Sequence, residues 1–189
     1  MSKNRDLILN SARELFAQRT FDEVTIKEIC AHANVANSTF YYHFKTKEDL
    51  MYGLRAQDEM PIKNELLNVM MLPDVLEQIV AACMLRVARA EHHGFSITAQ
   101  YYKSIITKEL ENDKLEGEHQ QEDQMISVLI GRAQTDGVIS SDVPTKALAE
   151  AAVRLTRCVI FDWCASGGVL DARSEVRRML MTLFGVREG

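Results

Sequence analysis

Glycine and proline are scarce in this chain, and this scarcity restricts its fold more than any other feature. The 189 residues include 9 Gly and 3 Pro, and no Pro precedes Pro61. A sandwich or barrel of many short strands needs more turn-forming residues than these. Because 47% of the residues are hydrophobic, the chain has enough apolar surface for a core and is not intrinsically disordered. The sequence therefore predicts an all-α fold.

Apolar residues recur at helical spacing in about nine segments. The predicted helices cover approximately residues 4–19, 26–33, 37–44, 47–54, 74–90, 95–110, 125–135, 145–165 and 171–184. Residues 74–90 are apolar on nearly every side, which predicts a central helix. No apolar run approaches the ~18 residues of a membrane span, and the N-terminal residues do not resemble a signal-peptide core. These features predict a cytoplasmic protein with no membrane partner.

The cysteines are not spaced like a metal site or a redox motif. They form no C-x-x-C pair, and each lies in an apolar stretch. We therefore expect reduced, buried thiols rather than disulfides or metal ligands. The four residues concerned are Cys30, Cys83, Cys158 and Cys164.

Charge is distributed unevenly along the chain. The net charge is −5, yet residues 1–50 hold seven Lys/Arg and seven Asp/Glu. The deficit lies in residues 51–189, which hold 15 basic and 20 acidic residues. An acidic body with a neutral N-terminal head is compatible with DNA binding by the head alone. We divide the chain accordingly into a head, residues 1–50, and a body, residues 51–189.

The head carries local signals for two short helices joined by a tight turn. Thr25 and Glu28 form a capping box before the first of them, and Thr46 caps the helix that follows the second. Asn34 is the predicted left-handed residue of the turn, because Asn tolerates a positive φ. Two short helices braced by a longer first helix have the geometry of a helix-turn-helix.

The second short helix displays aromatic side chains. Phe40 and Phe44 lie four residues apart and are predicted to enter the core, which leaves Tyr41, Tyr42 and His43 off that stripe. Displayed aromatic residues beside lysines favour a binding surface over an ordinary core.

Residues 25–50, TIKEICAHANVANSTFYYHFKTKEDL, resemble the DNA-reading motif of the TetR family of bacterial transcriptional regulators. Residues that match the family pattern at fixed spacing are Thr25, Ile29, Ala33, Val35, Thr39, Tyr41, Phe44, Lys47 and Leu50. Departures from it are Cys30, Asn34, Ala36 and Ser38. Ala36 occupies the N-cap of the recognition helix, where Ala is a poor cap, and Asn37 or Ser38 is the alternative cap.

The resemblance implies a recognition helix that reads bases, surrounded by contacts to phosphates. The residues expected to contact bases are Asn37, Ser38, Thr39, Tyr41 and His43, which are short polar or aromatic groups suited to base edges. The residues expected to contact phosphates are Thr25, Tyr42, Lys45 and Lys47. Family members also have a variable helical ligand-binding body and dimerise through their last two helices.

The helix predicted over residues 145–165 is apolar on two sides. One stripe, made of Leu148, Ala152, Leu155 and Val159, suits the protein's own core. We expect a second copy of the chain to cover the other stripe, because the fold is small for burial on both sides. A monomer whose core touches both faces is the alternative. The predicted dimer interface consists of Ala147, Ala151, Cys158, Phe161, Ala165, Leu180 and Leu183.

The middle helices contain the candidate side chains for binding a small effector. They are Met84, His92, Phe95, Tyr101, Tyr102, Met125 and Trp163. For each residue taken singly, an ordinary core position is favoured over a contact with a ligand. Methionine and aromatic groups favour a lipophilic guest, and the acidic body favours a neutral or cationic guest over an anion.

No grouping of residues is typical of an enzyme. No Ser or Cys has a readable base and orienting group, and no cofactor is expected. Residues Glu116–His119 have the spacing of half of a di-iron motif, but only one copy exists and it contains a Gly. The adjacent His92 and His93 diverge by ~100° on a helix, which disfavours a shared metal ion.

Two binding functions follow from these observations. The favoured one is a homodimeric regulator whose head binds a pseudo-palindromic operator and whose body binds a small molecule. Repression released by an inducer is the usual outcome in the family, while activation and corepression stay open. The alternative is an all-helical small-molecule- or protein-binding module without sequence-specific DNA binding.

Overall fold

The structure is a computed structural model that describes residues 3–57, 62–110, 120–140 and 142–186. Within these ranges the chain forms ten α-helices and no strand, which confirms the all-α prediction. The helices are α1 Lys3–Phe16, α2 Ile26–His32, α3 Asn37–His43, α4 Lys47–Gln57, α5 Ile62–Met70, α6 Val75–His93, α7 Phe95–Leu110, α8 Gln120–Thr135, α9 Thr145–Ala165 and α10 Ala172–Phe184. The additional helix is α5, in a segment for which no helix was predicted.

Helices α1 to α4 surround one apolar cluster, which we call the head core. Leu54 of α4 and Ile97 and Tyr101 of α7 belong to it, so the head core extends beyond residue 50. Its buried members are Ile8, Leu9, Ala12, Phe16, Phe21, Val24, Ile29, Cys30, Ala33, Phe40, Phe44, Leu50, Met51, Leu54, Ile97 and Tyr101. The first turns of α7 therefore belong to the packing of the head.

The predicted turn and cap signals of the head are confirmed. Thr25 and Glu28 form the reciprocal capping box at the start of α2. Asn34 adopts φ 52°, a left-handed conformation that Asn tolerates better than most residues. At the start of α4, Thr46 accepts a hydrogen bond from the Asp49 amide, and the Asp49 carboxylate accepts one from the Thr46 amide. Side-chain hydrogen bonds thus cap α2, the first helix of the helix-turn-helix, and α4, the helix that follows it.

Helix α1 is shorter than its apolar pattern predicts, because it ends at Phe16 instead of Arg19. The Gln18 amide donates to the Leu15 carbonyl three residues back, so the chain leaves the helix in a tight turn. The Arg19 guanidinium then donates to the Glu23 carbonyl and to Glu28. These bonds order the α1–α2 loop, residues 17–25.

Helix α4 crosses the head core at a glycine. A Cβ at Gly53 would lie 2.9 Å from Phe44 Cε1 and 3.3 Å from Leu9 Cδ2. The first distance is shorter than real Cβ contacts, so only Gly permits this close approach of α4 to α1 and α3.

Helix α6 is central to the body, as its all-round apolar character predicts. It packs against α5, α7, α8, α9 and α10. Ile79, Cys83 and Val87 are fully buried along it. These residues and their neighbours on α8, α9 and α10 form a second apolar cluster, which we call the body core.

All four cysteines are free thiols, but they are not all buried. Cys30 and Cys83 are buried, and burial raises the pKa of the Cys83 thiol to about 11. Cys158 is exposed, so its predicted burial is wrong. The reason is its place on the outward stripe of α9 rather than on the stripe that packs in the body core. Across the described ranges, no helix is both long and apolar enough to cross a membrane.

Candidate nucleic-acid interface

Helix α3 buries one face and displays the other. Phe40 is fully buried and Phe44 nearly so, whereas Tyr41 is 57% exposed and Tyr42 is 84% exposed. The Tyr42 and His43 rings meet edge to face at 4.9 Å. The predicted split between core and displayed aromatic residues is therefore confirmed.

The residues predicted to contact bases share the displayed face of α3. Three of them are exposed, and the other two are half-buried at its edges. The exposed residues are Asn37, Ser38 and Tyr41, and the half-buried residues are Thr39 and His43. Short polar groups on the N-terminal turns of such a helix suit the major groove.

The N-cap of α3 is Ala36, which makes no side-chain hydrogen bond. The helix begins directly after it, at Asn37, so neither Asn37 nor Ser38 takes over as cap. The recognition helix therefore lacks a stabilising side chain that most helices have at this position.

Thr25 is the best anchored of the residues predicted to contact phosphates. Its amide and hydroxyl donate to Glu28 Oε2 at 2.8 and 2.7 Å, and its hydroxyl accepts from the Glu28 amide at 3.2 Å. Hydrogen bonds from Arg19 and then from Thr25 lower the pKa of the Glu28 carboxyl to about 2. Glu28 therefore stays ionised and holds Thr25 at neutral pH.

The two lysines predicted to contact phosphates differ in their surroundings. Lys45 is exposed on the α3–α4 turn. Lys47, two residues later, is half-buried, and its ammonium donates to the carbonyls of Phe21 and Val24 at 2.6 and 2.9 Å. Its Nζ also lies 4.4 Å from the centroid of the Phe21 ring. The sequence gives no signal for this contact, because the partners are more than 20 residues away.

The sequence patterns also miss the junction between head and body. The Tyr52 hydroxyl donates to Ser104 Oγ at 2.8 Å, and the Arg55 guanidinium lies 3.5 Å from the centroid of the Tyr101 ring. Both contacts join α4 to α7.

Five of the seven candidate effector-binding residues come together in the body. Met84, Phe95, Tyr102 and Met125 are partly buried against the body core, and Trp163 belongs to it. The structure separates the other two: Tyr101 packs in the head core, and His92 is exposed at the end of α6. Those two residues therefore do not pack in the body core with the other five.

A buried ionic cluster joins α6 to α8 in the otherwise apolar body. The guanidinium of Arg86 pairs with Asp123 and lies 3.4 Å from Glu122, which also pairs with Arg89. The Arg86 and Glu122 side chains are only 6% and 3% exposed. Sequence reasoning missed this cluster, although two arginines on an apolar helix were a visible signal. The motif Glu116–His119 lies outside the described residues.

The second stripe of α9 faces outward. Ala147, Cys158 and Ala165 are exposed, Ala151 is half-buried, and Phe161 is 55% exposed. On α10, Leu183 is half-buried. Leu180 is fully buried in its own body core, so this member of the predicted dimer interface cannot contact a partner.

Comparisons with known proteins agree with this geometry. Residues 8–52 match the model of bacterial regulatory proteins of the tetR family. The chain is 25% identical over 166 residues to the HTH-type transcriptional regulator UidR of Escherichia coli strain K12, and the match covers 84% of this chain and 80% of that protein.

Solved structures share the fold over nearly the whole chain. The transcriptional regulator FadR from Bacillus subtilis, in complex with stearoyl-CoA, has a TM-score of 0.60 at 18% identity and covers 97% of this chain and 99% of that chain. A regulator from Saccharomonospora viridis, in complex with choline, has a TM-score of 0.72 at 21% identity and covers 98% and 97%. The helix-turn-helix and the relatives show that residues 8–52 form a DNA-binding head of the TetR family and that the chain is a DNA-binding transcriptional regulator.

Proposed function

We propose that this regulator is a homodimer that binds a two-fold symmetric operator through α3 and leaves it when the body binds a small molecule. The head, residues 1–50, supplies the DNA contacts, and the body, residues 51–189, supplies the effector site and the dimer interface. Repression released by an inducer is the outcome we propose. The observation that carries the proposal is the exposed polar and aromatic face of α3 above a buried head core.

The proposed base contacts are the residues of this displayed face, Asn37, Ser38, Thr39, Tyr41 and His43. Thr25, Tyr42 and Lys45 are the proposed phosphate contacts beside it, and Lys47 lies against the loop that carries Thr25. Polar side chains and lysines around a recognition helix fix its register on the duplex, while base-edge contacts supply specificity.

The outward stripe of α9 supports the proposed homodimer. A stripe that combines small residues with an exposed Phe161 suits close packing of helices from two copies. A Phe161→Glu substitution should raise the dimer dissociation constant at least about a hundredfold, because it buries a charge in an apolar contact. Sedimentation velocity measures this, and Met71→Glu, at an 83% exposed site on the α5–α6 turn, is the matched control. Unchanged dimerisation of the Phe161 variant would contradict the interface.

The grouping of Met84, Phe95, Tyr102, Met125 and Trp163 supports a lipophilic effector in the body. The fold relatives bound to stearoyl-CoA and to choline provide two probes, one with a long acyl chain and one with a quaternary ammonium. An effector must raise the melting temperature and lower operator affinity in the same concentration range. A probe that binds without changing operator affinity is not an inducer.

The decisive experiment is selection of bound duplexes from a random pool at moderate salt. Wild-type protein should enrich a two-fold symmetric site, and a Tyr41→Ala variant should retain it at least about tenfold less well. Recovery of no enriched sequence, at both moderate and low salt, would favour the alternative of a helical binding module without sequence-specific DNA recognition.

A further inference from the structure

Lys47 is the first residue of α4, but its ammonium lies against the α1–α2 loop. Nζ donates to Phe21 O at 2.6 Å and to Val24 O at 2.9 Å, and it lies 4.4 Å from the Phe21 ring centroid. An ammonium has three protons, and two of them are used by these carbonyls. The Phe21 ring also attracts the Lys47 ammonium, because a cation near the face of an aromatic ring is drawn to its electrons.

Both carbonyls that Lys47 holds belong to the α1–α2 loop, and that of Val24 lies directly before Thr25, the N-cap of α2. The Val24 carbonyl belongs to the same peptide unit as the Thr25 amide, and that amide donates to Glu28 Oε2 at 2.8 Å. A planar peptide unit moves as one body. Lys47 on one side and Glu28 on the other therefore fix the orientation of the peptide from which Thr25 projects.

Lys45 lies two residues before Lys47, and the two side chains differ in exposure. Lys45 is exposed, whereas Lys47 is half-buried and its ammonium is directed at backbone carbonyls of the α1–α2 loop. Hydrogen bonds from a charged donor are stronger than neutral ones, so leaving both carbonyls for a phosphate would be unfavourable.

We propose that Lys47 is a positioning residue, which supports DNA binding by holding the α1–α2 loop and Thr25 rather than mainly by neutralising a phosphate. This inference rests on the proposed DNA-binding function of the head. The loop that it clamps is also bonded to the body, through Phe21 and Ser96. The α1–α2 loop is thus held by Lys47 at the start of α4 and by Ser96 of the body.

Salt dependence distinguishes positioning from a direct phosphate contact. The probe is the duplex that wild-type protein enriches, and the variant is Lys47→Met, which keeps most of the aliphatic stem. We expect affinity to fall about tenfold while the slope of log K against log salt stays within error. A direct phosphate contact by Lys47 in each protomer of the proposed homodimer would instead reduce the magnitude of that slope by about 1.8, which is about 0.9 for each contact. Lys45→Met is the matched control, since an exposed lysine on phosphate should change the slope. A reduced slope for Lys47→Met, or unchanged affinity, would overturn the proposal.

A double-mutant cycle tests whether Lys47 acts through Thr25. Thr25→Val removes the hydroxyl and keeps the branched shape. If Lys47 positions Thr25, Lys47→Met should cost much less affinity in the Thr25→Val background than in wild type. Additive losses would contradict the proposed route.

A measurement without DNA separates this inference from the proposed function. In the Lys47→Met protein, the Thr25 and Phe21 amides should exchange hydrogen at least about fivefold faster, with α6 amides unchanged. Circular dichroism first confirms that the variant is folded. If exchange is unchanged, Lys47 does not hold the loop. If wild-type protein enriches no duplex, the proposed function fails, while exchange still decides whether the clamp exists.

Discussion

The Phe21 amide donates a hydrogen bond to Ser96 Oγ at 2.6 Å, across 75 positions of sequence. Phe21 lies in the α1–α2 loop and Ser96 in the first turn of α7, and both residues are buried. A body helix thus bonds directly to the loop that leads into the helix-turn-helix. A displacement of α7 would therefore act on this loop through Ser96 and on α4 through Tyr101 and Ser104.

Replacing Ser96 by Ala tests the strength of this connection. The variant leaves the Phe21 amide buried without its acceptor, so we expect the free energy of unfolding to fall by about 1–3 kcal/mol. Urea denaturation followed by circular dichroism measures the change. Ser38→Ala, at an exposed site on α3, is the control and should stay within about 0.5 kcal/mol of wild type. Equal stabilities of the two variants would contradict the expected role of the bond.

Capping the recognition helix should stabilise it. In Ala36→Ser, the new hydroxyl can accept from an amide in the first turn of α3, where Ala36 makes no such bond. We expect a gain of about 0.5–2 kcal/mol in the free energy of unfolding, measured by urea denaturation. Ala36→Val is the comparison, because it adds no acceptor and Val is as poor an N-cap as Ala. A Ser variant no more stable than the Val variant would show that the cap geometry is unfavourable.

The buried His93 should make stability fall in mild acid. Burial lowers the pKa of His93 to about 3, and the cations Arg55, His92, Arg89 and Arg13 add to the effect. Between its ordinary pKa of 6.5 and about 3, the unfolded chain binds a proton that the native protein does not. Stability is therefore highest above pH 6.5 and decreases below it.

The size of this effect can be measured against a variant. From pH 7 to pH 5, His93 should account for a loss of about 2 kcal/mol in the free energy of unfolding. His93→Gln should lack this component, so the stability difference between the two proteins should change with pH by that amount. Parallel stability curves for wild type and variant would refute it.

The buried ionic cluster should be sensitive to loss of one member. Arg86→Met removes a cation that is 6% exposed and leaves Glu122 buried beside Arg89 alone, so we expect a loss of about 3–5 kcal/mol. Arg154→Met is the matched control, because its pair with Glu150 on α9 is largely exposed and contributes at most about 1 kcal/mol. Thermal and urea unfolding compare the two. Similar losses of unfolding free energy in Arg86→Met and Arg154→Met would show that burial of the ion pair does not determine how much stability is lost.

Local signals in the sequence were sufficient for most of the head. The capping box at Thr25 and the left-handed Asn34 depend on neighbours within a few residues, so their conformations follow from residue type and spacing. The burial of Phe40 and display of Tyr42 follow from helical periodicity in the same way.

Contacts between distant segments were not predictable from such signals. The Lys47 ammonium was expected on a phosphate and lies on the carbonyls of Phe21 and Val24, because a long side chain reaches partners that spacing does not reveal. Leu180 illustrates the same limit in the body. It shares a helix with residues near the surface, but the packing of α10 on α6 and α9 turns it inward.

The sharing of Ile97 and Tyr101 between α7 and the head core has a consequence for engineering. A chimeric regulator made by joining residues 1–57 to a foreign body would lose two buried side chains that fill the interior of its DNA-reading part. The first two turns of α7, including Ser96, would have to be transplanted with the head or rebuilt in the new host. The unit that could be transferred is therefore built from two stretches of chain that are distant in sequence. A single junction after α4 does not include both of them.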